Sequence, residues 1–319
     1  MRRTISIRGS EPTRRTRGWA LVVHGFVIPA GLAFVLLAAT GVAAVSRTPV
    51  IATRLNERQP AASESYLAWQ QNSAGHPKHY DLYVLPIGGE KFKVNAAGTE
   101  GVTGAIDGTT LVFQQYRYNE SRSDLKLFDL VAKTTSNPPT GVNTKKWEYW
   151  PRLSGDWLLF GRHDVQSGND DIVLFNLVTG EAQTLAHTSG WKRELDPGQI
   201  SGDFAVWAKG TGTAWDVFIY DISAGTTTQV PNPNHKYQWG SSVTATGTVY
   251  YGRSAAGCGS SSGLMSYPLG GPATKVVSLA RGSDFVSSYA VTNSDASTSV
   301  YYDPGVCGQD SDIVKVTVP

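Results

Sequence analysis

The stretch Ser154-Gly-Asp-Trp-Leu-Leu-Phe160, followed eleven residues later by Asp171-Ile-Val-Leu-Phe-Asn-Leu-Val-Thr-Gly-Glu181, reads as a tight turn, a short strand ending in an aromatic, an acid-opened strand and a closing turn. Glycines and short Asx turns supply the positive φ values that tight hairpins need. The same order recurs along the chain. Strands ending in an aromatic stand at Tyr66-Leu-Ala-Trp69, Thr110-Leu-Val-Phe113, Phe204-Ala-Val-Trp207, Thr248-Val-Tyr-Tyr251 and Ser299-Val-Tyr-Tyr302, so that the six terminal aromatics lie 44, 47, 47, 44 and 51 residues apart. Second strands open with Asp81, Asp124, Asp171, Asp216 and Asp312; the fifth unit has Gly263-Leu-Met-Ser at that place. Asp107-Gly108, Ser201-Gly202-Asp203 and Thr246-Gly247 precede first strands, while Gly88-Gly89, Ala224-Gly225 and Gly270-Gly271 follow second ones.

A further strand follows each closing turn, clearest at Glu181-Ala-Gln-Thr-Leu185, and another precedes the next unit at residues 150–153, 198–200 and 242–243. Four short strands at a period of about 45 residues describe one blade of a β-propeller. The fold expected is therefore all-β, a six-bladed propeller of four-stranded blades. Its ends supply a check: the sixth unit stops after its second strand, and residues 50–55 have no unit of their own. Residues 50–55 are expected as the outer strand of blade six, and residues 59–62 as the inner strand of blade one. Such closure leaves no open sheet edge in the ring.

The units resemble those of the TolB-like, WD-type six-bladed propellers, in which a Ser-Gly-Asp or Asp-Gly turn, a strand ending in Phe or Trp, an Asp-Ile-Tyr-Leu-like strand and a Thr-Gly turn recur. Residues 154–181 carry the likeness best, and it extends over roughly residues 50–319. Ser63-Glu64-Ser65 in the first blade and the absent Asp in the fifth depart from the pattern. The resemblance implies a fold. It leaves function open, because that family includes periplasmic scaffold proteins, peptidase accessory domains and carbohydrate-active enzymes.

Charge points to an address rather than to a polyanionic partner. The 319 residues carry a formal net charge of +2, but six of the 28 basic residues and only one of the 26 acids fall in residues 1–44, which leaves 22 against 25 in the remainder. No nucleic acid partner is expected of a slightly acidic body. The arginines precede a nearly uninterrupted apolar run over residues 19–45 that ends in Val42-Ala43-Ala44. Residues 1–45 are read as a signal peptide or an N-terminal membrane anchor, residues 46–319 as the propeller, and the location as extracytoplasmic, secreted or membrane-anchored. The membrane is expected to matter only through that segment. Cys258 and Cys307 lie in the exported part, each in a glycine-rich b–c loop of adjacent blades, and are expected to form a disulfide.

One set of residues points to function. The connections into the inner strands combine aromatics with basic groups: Asn143-Thr-Lys-Lys-Trp-Glu-Tyr-Trp150, Ser189-Gly-Trp-Lys-Arg-Glu-Leu-Asp196 and Asn232-Pro-Asn-His-Lys-Tyr-Gln-Trp239. With Tyr116 from a b–c loop, Trp147, Tyr149, Trp150, Trp191, Arg193, Tyr237 and Trp239 are expected to form a binding face at one end of the channel. Aromatics offer large contact area at low entropic cost, and Arg offers directed donors. Inter-blade packing is the competing account of each single aromatic. The function expected is a non-catalytic, monomeric scaffold that binds a protein or peptide and needs no cofactor. The alternative is a carbohydrate-binding or glycoside-cleaving propeller of the cell envelope using Glu148, Glu194 or Asp196. His76 with His79, and Asp164 with Asn169 and Asp170, lack the partners and spacing of a metal site. Gly259-Ser-Ser-Ser-Gly263 matches a nucleophile elbow by letter only, since it joins two strands. The Asp that opens each second strand is expected to accept backbone N–H bonds of the preceding loop.

Overall fold

The computed structural model describes residues 47–51, 55, 57–73, 76–117, 122–190, 194–210, 214–254, 262–278, 283–294, 297–306 and 313–318, with backbone alone beyond residue 278. The leader and both cysteines fall outside these residues, and among those described no helix is long and apolar enough to cross a membrane.

Strand β1 (Arg47–Ile51) is followed by β2 (Glu57–Ala62), β3 (Tyr66–Ser73), β4 (His76–Pro86) and β5 (Phe92–Lys93), and β2 to β5 pair in that order. A second antiparallel sheet runs β6 (Thr99–Asp107), β7 (Thr110–Arg117), β8 (Asp124–Asp129), β9 (Thr134–Ser136). The third is β10 (Trp147–Ser154), β11 (Trp157–His163), β12 (Asp170–Asn176), β13 (Ala182–Thr188). Next come β14 (Leu195–Ser201), β15 (Phe204–Gly210), β16 (Trp215–Asp221) and β17 (Thr226–Gln229). They are joined through one parallel pair, Trp215 with Tyr237, to β18 (Tyr237–Val243), β19 (Thr248–Ser254), β20 (Ser262–Pro268) and β21 (Thr274–Ser278). The last sheet contains β22 (Ser283–Ser294), β23 (Ser297–Val306) and β24 (Ile313–Val318), and its fourth strand is β1, with Arg47 opposite Val316 and Pro49 opposite Val314.

The N-terminal segment thus pairs with the C-terminal strand, three residues earlier than residues 50–55 suggest. Inner strands also differ from expectation. β10 starts at Trp147 rather than Trp150, β14 at Leu195 and β18 at Tyr237, because their leading residues continue the ladder: Trp147 lies opposite His163, Tyr149 opposite Gly161 and Leu195 opposite Lys209. The supposed loop aromatics of β10 and β18 are strand residues.

The core explains the apolar triplets. Leu158, Leu159 and Phe160 are all fully buried although neighbours on a strand point to opposite faces. Leu158 and Phe160 pack with Val112 and Leu125 of the preceding sheet, whereas Leu159 packs with Ala205 and Trp207 of the following one. Val206 in turn joins Val249 and Tyr251. Among the described side chains, the second, third and fourth sheets are each covered on both faces by their neighbours, and burial fades outward until β9 and β17 are wholly exposed.

Three of the recurrent carboxylates, Asp81, Asp171 and Asp216, take side-chain partners from farther along the chain. Asp81 accepts from Lys93 Nζ at 2.6 Å and Asn95 Nδ2 at 3.2 Å; Asp216 accepts from Asn232 Nδ2 at 2.7 Å; Asp171 pairs with His187 at 2.7 Å. Asn95 and Asn232 also bond the chain on its way to the next inner strand, through Thr99 O and Lys236 O. These asparagines latch one unit to the next.

At the axis the inner strands touch. Each of β2, β6, β10, β14 and β18 has a register shift, between residues 58 and 61, 103 and 105, 149 and 152, 197 and 200, and 239 and 242. At two of these shifts stand Gly104 and Gly198. A Cβ on Gly104 would overlap Val112 O and lie 2.7 Å from Pro151 O, and one on Gly198 would overlap Ser241 Oγ and lie 2.7 Å from Ser241 O and Val206 O. Backbone oxygen cannot rotate away as a side chain can. Gly198→Ala is therefore expected to lower stability by about 3 kcal/mol, the upper part of the overpacking range, read as a shift of the urea unfolding midpoint at unchanged slope.

Candidate functional site

A cavity of about 350 Å³ opens at the end of the third and fourth sheets where β10, β12, β14 and β16 begin and β11 ends. Trp147, Tyr149, Trp150, His163, Asp170, Leu195, Asp196 and Trp215 line it. The strand geometry brings these residues together: in an antiparallel sheet the start of one strand and the end of its neighbour share an edge.

Two glycines seat its rings. Gly161 lies opposite Tyr149, and a Cβ there would run into the tyrosine ring, with Cε1 at 2.7 Å. Gly210 lies opposite Trp215, whose Cε2 would stand 2.9 Å from an added Cβ. Each ring thus lies flat over a glycine. Trp150 is set by backbone rather than by packing: its φ is +45°, which costs a residue with a Cβ of the order of 1 kcal/mol. Its N–H donates to Gln114 Oε1 of the second sheet at 3.2 Å, which helps hold that turn.

The rings meet edge to face. Trp147 and Tyr149 are 6.4 Å apart at 63°, Tyr149 and Trp150 5.4 Å at 81°, and Trp147 and His163 6.1 Å at 84°. Such pairs are favoured by the ring quadrupoles. The result is a box of walls rather than a flat platform.

The polar groups divide into used and available. His163 Nδ1 lies 2.8 Å from Asp170 Oδ1, both side chains almost wholly buried, and Tyr149 OH lies 3.4 Å from the same oxygen and from Leu195 O. Asp170 Oδ2 has no hydrogen-bond partner among the described residues. Asp196 keeps some solvent contact, yet the protein around it pushes its pKa up to about 6, against the opposing pull of Arg152. Burial lowers Arg152 to about 10, and its Nη1 donates to Gly104 O and Pro151 O. Glu148 does not face the cavity. It is fully buried, accepts from Thr144 Oγ1 at 2.6 Å and Arg162 Nε at 3.1 Å, and burial raises its pKa while these partners lower it. Arg162 Nη2 also donates to Gly141 O and Val142 O, so this pair fixes the approach to Trp147 and is spoken for structurally.

Of the residues expected on a binding face, the structure gathers Trp147, Tyr149 and Trp150 in one cavity. Tyr116, at the end of β7, is raised above its ordinary pKa by burial and by its bond to Glu100, beside His79 and away from this cavity. Tyr237 opens β18 opposite Ser254, and Trp239 follows in that strand. Trp191 and Arg193 lie outside the described residues. Sequence reading missed His163, Asp170 and Trp215 as members. Trp215 and Asp170 each stand one residue before a recurrent Asp, and that position in the repeat was their only signal.

The remaining candidates are accounted for. Asp164 accepts from Gln166 N and pairs with Lys146 at 3.3 Å, and Asn169 accepts from Gly190 N. His76 and His79 are part of β4, and no cluster of metal-ligating side chains occurs among the described residues.

No family model matches the sequence, and no curated protein matches it significantly. Solved structures do resemble the model. TolB from Acinetobacter baumannii superposes with a TM-score of 0.54 at 14% identity over 80% of this chain, which spans 64% of that protein. A luciferin-regenerating enzyme gives 0.57 at 8% identity, covering 86% of this chain and 95% of its own. The β-propeller domain of the Trilobed protease from Pyrococcus furiosus gives 0.50 at 9% identity over 84% and 94%. That propeller is described as having an open velcro topology, whereas here β1 and β24 pair. At these identities the likeness shows a β-propeller fold and nothing of function.

Two measurements test the site. Gly161→Ala should lower stability by about 2 kcal/mol, and combination with Tyr149→Ala should cost less than the sum, because the overlapping ring is gone. For Asp196, a pKa near 6 folded against 3.8 unfolded means that folding takes up protons between those values. Its contribution is fully present below pH 4 and lost as pH rises through 6. Relative to Asp196→Asn, the natural protein should lose about 1–2 kcal/mol between pH 4 and pH 7, a figure reduced for its partial solvent contact, as read by urea unfolding at both pH values.

Proposed function

We propose that the chain is an exported, six-bladed β-propeller whose leader directs or anchors it outside the cytoplasm, and that it acts as a monomeric, non-catalytic scaffold. The ligand is a protein or peptide segment held in the cavity of Trp147, Tyr149, Trp150 and Trp215. The observation that carries this reading is the cavity itself: partly exposed rings, seated on Gly161 and Gly210, around about 350 Å³. That volume matches sites that take a small group or side chain, and Trp and Tyr anchors dominate protein recognition. Among the described residues that line the cavity, the His163–Asp170 pair has no Ser, Thr or Cys as a nucleophile beside it.

Asp196 supports the second reading, a carbohydrate ligand. Its raised pKa suits an acid, and aromatic rings stack on sugars, but Glu148 is committed to Arg162 and is not its partner. Panning a peptide library and a glycan array on the full-length protein separates the two. Trp150→Ala and Trp215→Ala are each expected to weaken peptide capture at least about tenfold, the loss of one anchoring contact. If both variants capture peptides as the natural protein does, this cavity is not the binding site.

A further inference from the structure

Resting on that reading, the charge and shape of the cavity say which part of a peptide it takes. The walls include three indoles and a phenol, with Tyr149 inclined at 63° to Trp147 and 81° to Trp150, and the face of each such ring is negatively polarised. Two carboxylates, Asp170 and Asp196, share the lining, and among the described residues that line it there is no Lys or Arg. Three basic residues close in the chain to lining residues have partners of their own. Lys146 pairs with Asp164, Arg162 with Glu148, and Arg152 is tied to Gly104 O and Pro151 O and lines a different cavity, at the opposite end of the inner strands. Asp170, only 1% exposed, gives one oxygen to His163 and keeps the other without a partner among the described residues. A buried carboxylate oxygen with no donor costs free energy that a donor from outside would recover.

We propose that the cavity receives the cationic side chain, arginine or lysine, of a basic peptide, enclosed by Trp147, Tyr149, Trp150 and Trp215 and neutralised by Asp170 and Asp196. Cations bind over aromatic faces, and the attraction grows as water is excluded. A guanidinium adds planar stacking and paired donors for carboxylates, so arginine binds at least as well as lysine. An anionic group would meet two carboxylates. A neutral sugar would bring no positive charge to either of them.

The test compares acetyl-Gly-Arg-Gly-amide with its citrulline counterpart, which keeps the size and planarity of the side chain and removes its charge. Binding to the full-length protein is followed by tryptophan fluorescence and calorimetry. The arginine peptide is expected to bind at least about tenfold more tightly than the citrulline peptide. Asp196→Asn and Trp150→Ala should each remove most of that preference, with a melting curve for each variant establishing that it is folded. Asp196→Asn relieves a buried charge and serves as the variant least at risk of misfolding. Equal binding of the two peptides, with Trp150→Ala weakening both, overturns the cationic preference and leaves the peptide site standing. Binding of either peptide that neither Trp150→Ala nor Trp215→Ala alters overturns the peptide site. No saturable binding of the arginine peptide at millimolar concentration overturns the proposal.

Discussion

Leu158, Leu159 and Phe160 have no access to solvent although they point alternately to the two faces of their sheet, and the same holds for Leu111, Val112 and Phe113. A strand in that position can be stable only if both of its faces are covered, so a sheet that carries one is not complete alone. Leu159 depends on Trp207 of the next sheet, and Leu158 on Val112 of the one before. The hydrophobic stabilisation is therefore spread around the set of sheets in interlocking pairs. The axis adds the second constraint. At two of the junctions between inner strands, Gly104 and Gly198 leave room for a neighbour's backbone.

The cavity follows from this packing rather than being added to it. At the end of the third and fourth sheets, beyond the fully packed middle, the strand ends line the cavity. Rings placed there are held from beneath, Tyr149 on Gly161 and Trp215 on Gly210, and keep one side toward solvent. The rigid sheet sets their angles. Recognition by such walls needs little ordering on binding, because the rings are already fixed. Trp150, with φ of +45° and its N–H held by Gln114, shows where the backbone bears a cost to place a ring.

Much of the fold was legible because its signals are local and repeated. Turns such as Ser154-Gly155-Asp156 need glycine, the apolar triplets need two buried faces, and a period near 45 residues repeats both. The starts of the inner strands were not legible, since Trp147, Tyr149 and Tyr237 look like loop aromatics until a register such as Tyr149 with Gly161 extends the ladder. The site was half legible. Three aromatics were visible as a cluster in the sequence, but His163, Asp170 and Trp215 come from other strands and join it only through pairing. The partners of the recurrent Asp residues were misread for the same reason: Asn95 and Asn232 lie 14 and 16 residues away. Glu148, a plausible catalytic acid by sequence, is claimed by Arg162 across a ladder that no local pattern announces.

The pairing of β1 with β24 brings Arg47 against Val316, two residues far apart in the sequence. A chain emerging from the ribosome can assemble its earlier sheets in order, but this seam has to wait for the last strand to be made. Contacts that span most of the sequence are formed late and slow the search for the native state. Until then β1 is a strand with a free edge, open to the wrong partner. The protein's final step of folding and its most exposed interval thus coincide at one short ladder.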